Sequence, residues 1–369
     1  MSSRTDDLGP VIAVARATGI GASYDPIPRD LVDRMLTQFY GFSGRLQHIA
    51  TEKDDTFLLE AASAKYLVKI SSPAEALPDI ELQTAAMLHV RDTAPDLPVQ
   101  LPVAGQDGRF EHRLDVVGYA GRVLRVLTFL PGQLLTDTRP TPAQVRDIGR
   151  TAGRLSRVLH GFTHPRQGRT LIWDLRWFDR MRPLLRHIST ERGSAVASSV
   201  FEQFNEVVVP ALPTLPKQVV HGDFSPYNLL VDPGVPGYVR GVIDFGDVVH
   251  TARAFDVAVG MANLLCDDPE DPWAKAVEFV AGYLEVRELS DAELRLLATC
   301  AQARVVLRIL MAQWRAIEDP GRRDYLLSHS VKDWSHLYLA HAVPTPEITA
   351  RMQAAAAGRH VPAERSHQS

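Results

Sequence analysis

The chain has 369 residues, 45% hydrophobic and 23% charged, with 40 basic and 44 acidic side chains and a formal net charge of -4. That is ample material for the cores of two domains, or of one domain with a large appendage, and the balanced charge argues against a nucleic-acid partner. The two cysteines, Cys266 and Cys300, lie outside any metal-ligand spacing. The N-terminus has no signal-peptide order and no run reaches the roughly 18 apolar residues of a membrane span, so a cytoplasmic protein with no membrane partner is expected.

Residues 1–40 read as a helical arm, because Pro10 opens VIAVARATGI and Pro28 precedes the amphipathic LVDRMLTQFY. From Gly44 the period changes. RLQHIAT, DTFLLEAA and KYLVKI are short, rich in β-formers and separated by polar groups, which predicts a three-strand meander. Pro78-Asp79 should open a helix over IELQTAAMLHVRD with Asp79 as its cap. More strand follows in LPVAG, in a hairpin around Gln106-Asp107-Gly108, and in RVLRVLTFL, which stops at Pro131-Gly132. Beyond that point the pattern is helical, beginning with TPAQVRDIGRTAGRLSRVLHGF and ending with a polar tail after about Gly358. A strand-loop-strand island over residues 217–249 interrupts it. The expected organisation is α+β: a β-rich lobe at 41–130, a helical lobe at 131–345 carrying the island, and a C-terminal helix and frayed tail at 346–369.

The island contains His221-Gly222-Asp223-Phe224-Ser225-Pro226-Tyr227-Asn228, and 16 residues past the asparagine comes Val242-Ile243-Asp244-Phe245-Gly246. In phosphoryl transfer one carboxylate orients the acceptor hydroxyl and takes its proton, while an amide oxygen and a second carboxylate hold divalent ions on the phosphates. Asp223 suits the first role. Asn228 and Asp244, hard oxygen donors, suit Mg²⁺. In the β-rich half, Lys69 shares a strand face with Leu67, a costly place for an ammonium unless it reaches an anion such as a nucleotide phosphate. Glu81, at the start of the next helix, is the expected partner that holds Lys69 in place, with Glu75 as its rival.

The order strand lysine, helix glutamate, H-G-D-x-x-x-x-N, I-D-F-G resembles the aminoglycoside phosphotransferase and choline kinase group of small-molecule kinases over roughly residues 40 to 340. The phrases VLRVLTFLPG and VIDFGDVVHTARAFDVAVGMA look most like its hydroxylysine kinase branch. The resemblance implies a protein-kinase-like bilobal fold, ATP or GTP as donor with Mg²⁺, and a small-molecule hydroxyl acceptor. It also implies that Lys69 binds phosphate, that Asp223 is the base, that Asn228 and Asp244 hold the metal, and that Leu127, Thr128, Phe129 and Leu130 form the hinge meeting the base. Trp173 and Trp177, with Asp174 and Phe178, fall in a segment that caps the acceptor cleft in such kinases, or are simply helix core. Asp247 either faces a substrate ammonium or is solvated. Arg304 and Arg308, one turn apart, either meet a substrate carboxylate or line a wet helix face.

Two departures from protein kinases matter. Only twelve positions separate Asp244 from Asp256, too few for an activation loop and a peptide-docking surface, which disfavours a protein substrate. The loop Ala50-Thr51-Glu52-Lys53-Asp54-Asp55, where a glycine-rich phosphate cover is expected, contains no glycine. The favoured function is phosphoryl transfer to an amine-bearing metabolite, with a hydroxylysine-like compound first. Aminoglycosides or other antibiotics, choline or ethanolamine, and homoserine are the alternatives, and a nucleotide-binding pseudokinase is the non-enzymatic one.

Overall fold

The computed structural model describes Gly9, Ala13 and residues 24–358 except Glu52 and Pro236. Apart from Ala13, the helix expected over VIAVARATGI lies outside the described residues, as does the tail past Gly358. The chain divides into two compact units: Met1–Arg139 with Val158–Pro183 and Lys217–Thr251, and Pro140–Arg157 with Leu184–Pro216 and Ala252–Ser369. The 217–251 island therefore groups with the β-rich part of the chain.

In the first unit α1 (Arg29–Tyr40) starts after Pro28 and stops at Gly41, whose φ of 66° lets its N–H close on the carbonyls of Leu36 and Thr37. Its apolar stripe, Val32, Met35, Leu36 and Tyr40, packs with one sheet face formed by Leu46, Phe57, Leu59, Val68, Ile70, Leu124 and Val126. Each fully buried aliphatic side chain there contributes about 1.5–3 kcal/mol, so the stripe and the sheet stabilise one another. The meander forms as expected: β1 (Gly44–Ile49), β2 (Asp55–Ala61) and β3 (Lys65–Ile70) pair antiparallel. The sheet order is β1-β2-β3-β6-β4, where β4 is Pro102–Val103 and β6 is Val123–Thr128, with β5 (His112–Arg113) also on β6. Register places Thr56, Lys69 and Arg125 side by side on the face opposite Val68 and Ile70.

Two local expectations change. The turn at Gln106-Asp107-Gly108 does not close a hairpin. β4 (Pro102–Val103) and β5 (His112–Arg113) instead follow one another along the same edge of β6 (Val123–Thr128). A turn signal reports the local reversal of the chain but not which strand the returning segment will meet. Asp79 does not cap its helix. α2 (Leu77–Thr93) starts earlier, with Ala76 at the N-cap and Pro78 in the first turn, where the missing N–H is harmless. Asp79 instead accepts from Arg166 at 2.6 and 3.3 Å.

Two small sheets hold the island. β7 (Gln133–Leu134), β9 (Leu229–Val231) and β10 (Val239–Val242) form one, in the order β10-β9-β7, and β8 (Lys217–Val220) pairs with β11 (Val249–Ala252) in the other.

The second unit is helical: α3 (Pro142–Val158), α4 (Glu191–Gln203), α5 (Arg253–Asn263), α6 (Ala274–Leu284), α7 (Asp291–Glu318), α8 (Arg323–Ala342) and α9 (Thr345–Ala357). A capping box of Ser290 and Glu293 starts α7, and Glu293, fully buried, also takes a bidentate bond from Arg253 at 2.6 and 2.7 Å. Gly149 lets α3 approach α6, since a Cβ there would lie 2.0 Å from the Phe279 carbonyl oxygen. A β-rich part followed by a helical part is the α+β arrangement expected. Among the described residues no helix is long and apolar enough to cross a membrane.

Candidate active site

The first unit brings together polar side chains that lie far apart in sequence. Lys69 points from β3 to Asp54 Oδ2 at 3.2 Å and to Asp244 Oδ2 at 3.5 Å, and its side chain is 12% exposed. Burial works against the charge on Lys69, yet Asp244 and Asp54 outweigh it and hold the ammonium above the ordinary lysine range. Reciprocally, Lys69 draws the Asp244 carboxyl down to about 2. Asp244 has a φ of 59° and its Oδ1 accepts the Gly246 N–H at 3.0 Å. Among the described residues it is the one non-glycine in the left-handed region, a conformation that costs about 1–3 kcal/mol and marks a functional position when its surroundings enforce it.

The loop that begins at His221 folds around its own polar groups. His221 is fully buried, and its Nδ1 accepts the Asp223 N–H at 3.3 Å. That assigns the ring proton to Nε2, which donates to the Ile243 carbonyl at 3.2 Å. The imidazole thus ties the Asp223 loop to the residue before Asp244. Asn228 Nδ2 donates to Asp223 Oδ2 at 2.7 Å and to the Asp223 carbonyl at 3.0 Å, and the Ser225 hydroxyl lies 3.4 Å from the same carboxylate. Strand pairing explains why Asn228 and Asp244 are neighbours. Leu229 on β9 faces Val242 on β10, and the Ile243 N–H closes on the Asn228 carbonyl at 3.0 Å. Gly222 has a φ of 83°, and a Cβ on it would lie 2.2 Å from the Asp247 carbonyl oxygen. Only glycine permits both that conformation and that approach.

This constellation offers a half-exposed carboxylate for hydroxyl activation, a fixed ammonium for an anion, and two hard oxygens. With Asn228 Nδ2 turned to Asp223, its amide oxygen remains as a donor atom, and Asp244 supplies a carboxylate. One amide oxygen and one carboxylate suit Mg²⁺, which completes its octahedron from water and substrate phosphates. Among the described residues no group of three or more His, Cys, Asp or Glu side chains forms a closed metal cage.

Other expected residues fall as follows. Glu81 is exposed on α2, and the partners of Lys69 are the two aspartates instead. The rival, Glu75, is 4% exposed and pairs with Lys53 at 3.1 Å, and it also accepts from Gln83 at 2.7 Å. At the hinge, Thr128 commits its N–H to the Leu101 carbonyl at 2.8 Å and its carbonyl to Gln100 Nε2 at 3.2 Å, while Phe129 is 40% exposed and Leu130 half-buried. Asp247 is half-buried, and its charge acts on Lys53 and Arg169. Trp173 and Trp177 are both half-buried, and the Arg180 guanidinium lies 4.4 Å over the Trp177 ring. Trp173 precedes, and Trp177 lies within, a run of 3₁₀ turns over Leu175–His187, not an α-helix.

Arg304 and Arg308 belong to the helical unit. Arg304 is 4% exposed on α7, and Arg308 holds Asp333 at 2.6 and 3.0 Å and Asn263 at 2.9 Å, so its guanidinium is engaged by the protein itself.

Sequence reasoning missed Asp54, the Lys53–Glu75 pair, Arg169 and the buried role of Asp174. Only the run Lys53-Asp54-Asp55, charged where a glycine loop was expected, signalled the first two.

The Phosphotransferase enzyme family (APH) matches residues 47–294. The chain is 27% identical over 321 residues to the hydroxylysine kinase of Danio rerio, a match that covers 83% of this chain and 89% of that protein. Among solved structures, a microcompartment-associated aminopropanol kinase superposes with a TM-score of 0.67 at 18% identity, covering 88% of this chain and 98% of the other. Amicoumacin kinase hAmiN, in complex with AMP-PNP, Ca²⁺ and Ami, gives 0.64 at 15% identity, covering 86% and 95%. At these identities the two structures show the shared kinase-like fold.

Proposed function

Because the chain belongs to the phosphotransferase enzyme family and is a small-molecule kinase acting on a hydroxyl, we propose that it transfers the γ-phosphoryl of ATP or GTP to a hydroxylysine-like hydroxy amino compound. The observation that carries the reading is the convergence of Lys69 on Asp244, 175 residues away, in the unit where Asn228 meets Asp223. The likeness to hydroxylysine kinase over most of both chains supports the acceptor class.

In this reading the Lys69 ammonium, pre-aligned on its strand, holds the α/β-phosphates. Asp244 and the Asn228 amide oxygen would hold Mg²⁺, which when bound supplies positive charge against the phosphate oxygens. Asp223, fixed by Asn228 and Ser225, accepts a hydrogen bond from the acceptor hydroxyl. It takes that proton as the hydroxyl oxygen bonds to phosphorus and the bridging oxygen leaves with the nucleoside diphosphate. Most of the acceleration then comes from positioning and fixed charge. Since Thr128 has both main-chain groups engaged, contacts to the nucleotide base fall to Phe129 and Leu130. Asp247 beside the turn is the carboxylate offered to a substrate ammonium.

The test is a phosphorylation screen of hydroxylysine, homoserine, choline, ethanolamine and aminoglycosides with ATP and with GTP, read as phosphorylated product. Hydroxylysine or a close hydroxy amino compound should give the highest kcat/KM. A preference for an aminoglycoside or choline would replace the acceptor assignment. Nucleotide binding with no transfer to any acceptor would favour the pseudokinase.

A further inference from the structure

The segment 164–174 runs against the chain from Gly246 to Thr251 and bonds to it repeatedly. Arg169, 6% exposed, donates through Nε to the Val248 carbonyl at 2.9 Å and through Nη2 to the Gly246 carbonyl. The Gln167 carbonyl accepts the His250 N–H at 2.7 Å. The Thr251 hydroxyl donates to the buried Asp174 carboxylate at 2.9 Å, and Arg176 holds the same carboxylate at 2.7 Å. The other side of the turn meets Gly222, against the Asp247 carbonyl. The turn that follows the left-handed Asp244 is therefore held by Arg169 at Gly246 and Val248 and met by Gly222 at Asp247.

Of these bonds, that of Arg169 to Gly246 falls closest in sequence to Asp244. An arginine directed at two main-chain carbonyls two residues apart fixes the path of the backbone between them, because its planar fork matches one geometry only. Burial works against its charge, while Asp247, Asp79 and Glu75 act to retain it. The arrangement would be a costly way to satisfy two carbonyls if the shape of the turn carried no function.

Resting on the kinase reading above, we propose that Arg169 is a positioning residue that sets the Asp244 carboxylate in the orientation needed to hold the divalent ion. Its guanidinium is committed to the Gly246 and Val248 carbonyls. Its effect should therefore appear in metal affinity, with the affinity for nucleotide alone unaltered.

The experiment uses full-length Arg169→Lys, with Thr251→Val as a control that releases the Asp174 end of the brace and leaves the Gly246 and Val248 carbonyls held. Mn²⁺ affinity is measured by electron paramagnetic resonance in the presence of a non-hydrolysable ATP analogue, analogue affinity is measured without metal, and thermal unfolding is recorded for each protein. Arg169→Lys should weaken Mn²⁺ by about tenfold or more, the range seen when supports of metal ligands are removed, and should raise the Mg²⁺ concentration at half-maximal turnover in parallel. Thr251→Val should lower the melting temperature and leave Mn²⁺ affinity within twofold of wild type. Should Arg169→Lys fail to fold, Arg169→Gln carries the same measurement. If wild type binds Mn²⁺ with the analogue and the Arg169 variants bind it equally well, or neither variant folds, positioning is overturned. A wild type that binds no Mn²⁺ with the analogue overturns the kinase reading, and this inference with it.

Discussion

Asp54 occupies the ammonium that a nucleotide phosphate is expected to need, which makes Asp54→Asn informative. The carboxylate is 7% exposed and lies 3.2 Å from Lys69 Nζ, and its Oδ1 has no hydrogen-bond partner among the described residues. At an effective dielectric of about 20 the gross attraction at this distance is about 5 kcal/mol. Desolvation cancels much of that, and charged hydrogen bonds in proteins retain a net of about 1.5–3 kcal/mol. Asparagine keeps the shape and removes the charge, and Lys69 retains Asp244 as counter-ion. The nucleotide-free protein should therefore lose up to that amount of stability. The same free energy no longer has to be overcome when a phosphate reaches Lys69, so nucleotide affinity should rise between about tenfold and a hundredfold. Calorimetric titration of nucleotide together with thermal unfolding measures both sides. Weaker nucleotide binding by Asp54→Asn would refute the reasoning and make Asp54 a contributor to the bound state instead of a competitor.

Asp223→Asn should fold with an unchanged melting temperature yet lose about 10²-fold or more in kcat, measured by coupled nucleoside diphosphate release, and an undiminished rate excludes Asp223 as base. Gly222→Ala forces a side chain to within 2.2 Å of the Asp247 carbonyl at a φ of 83°, and should cost at least about 1–3 kcal/mol in denaturant unfolding. A neutral outcome would mean the loop can shift freely. The pH dependence follows from two shifts of opposite sign. Asp244 is lowered in the folded protein, so its contribution is complete above the ordinary carboxylate range and is lost as pH falls toward about 2. Lys69 is raised, so its contribution is complete below the ordinary lysine range and is lost only as pH rises through its higher folded value. Asp244 is 46% exposed, and solvent screening makes the effect modest. The stability gap between wild type and Asp244→Asn should shrink on acidification from neutral pH to about 2, and a constant gap contradicts the assignment.

How much was legible in sequence depended on whether a signal was periodic or relational. Lys69 was readable because alternation along KYLVKI puts it opposite Val68 and Ile70, and the strand keeps that alternation. The His221–Asn228 and Asp244 spacing was readable because both loops close on themselves and are joined by adjacent strand ends. Helix position and the strand-lysine to helix-glutamate pattern point to Glu81 as the partner of Lys69. The nearer of its two aspartate partners, Asp54, reaches it through the fold of a loop, and loops have no period from which reach can be inferred. Asp79 misled because acid at a helix start is a capping signal, while Pro78 already filled the first turn and freed Asp79 for Arg166. Arg169 left no local trace, since its partners are carbonyls 77 and 79 residues on.

The pairing of β9 with β10 separates two quantities that look alike in a linear sequence. The interval between Asn228 and Asp244 is mostly the outward excursion of a hairpin, whose tip at Pro233, Gly234, Val235 and Gly237 is exposed. Its length is free to drift without disturbing either donor, whereas a one-residue slip in the pairing itself would send one of them to the wrong side. A search for distant relatives should therefore tolerate gaps at that tip and forbid them between Leu229 and Val231.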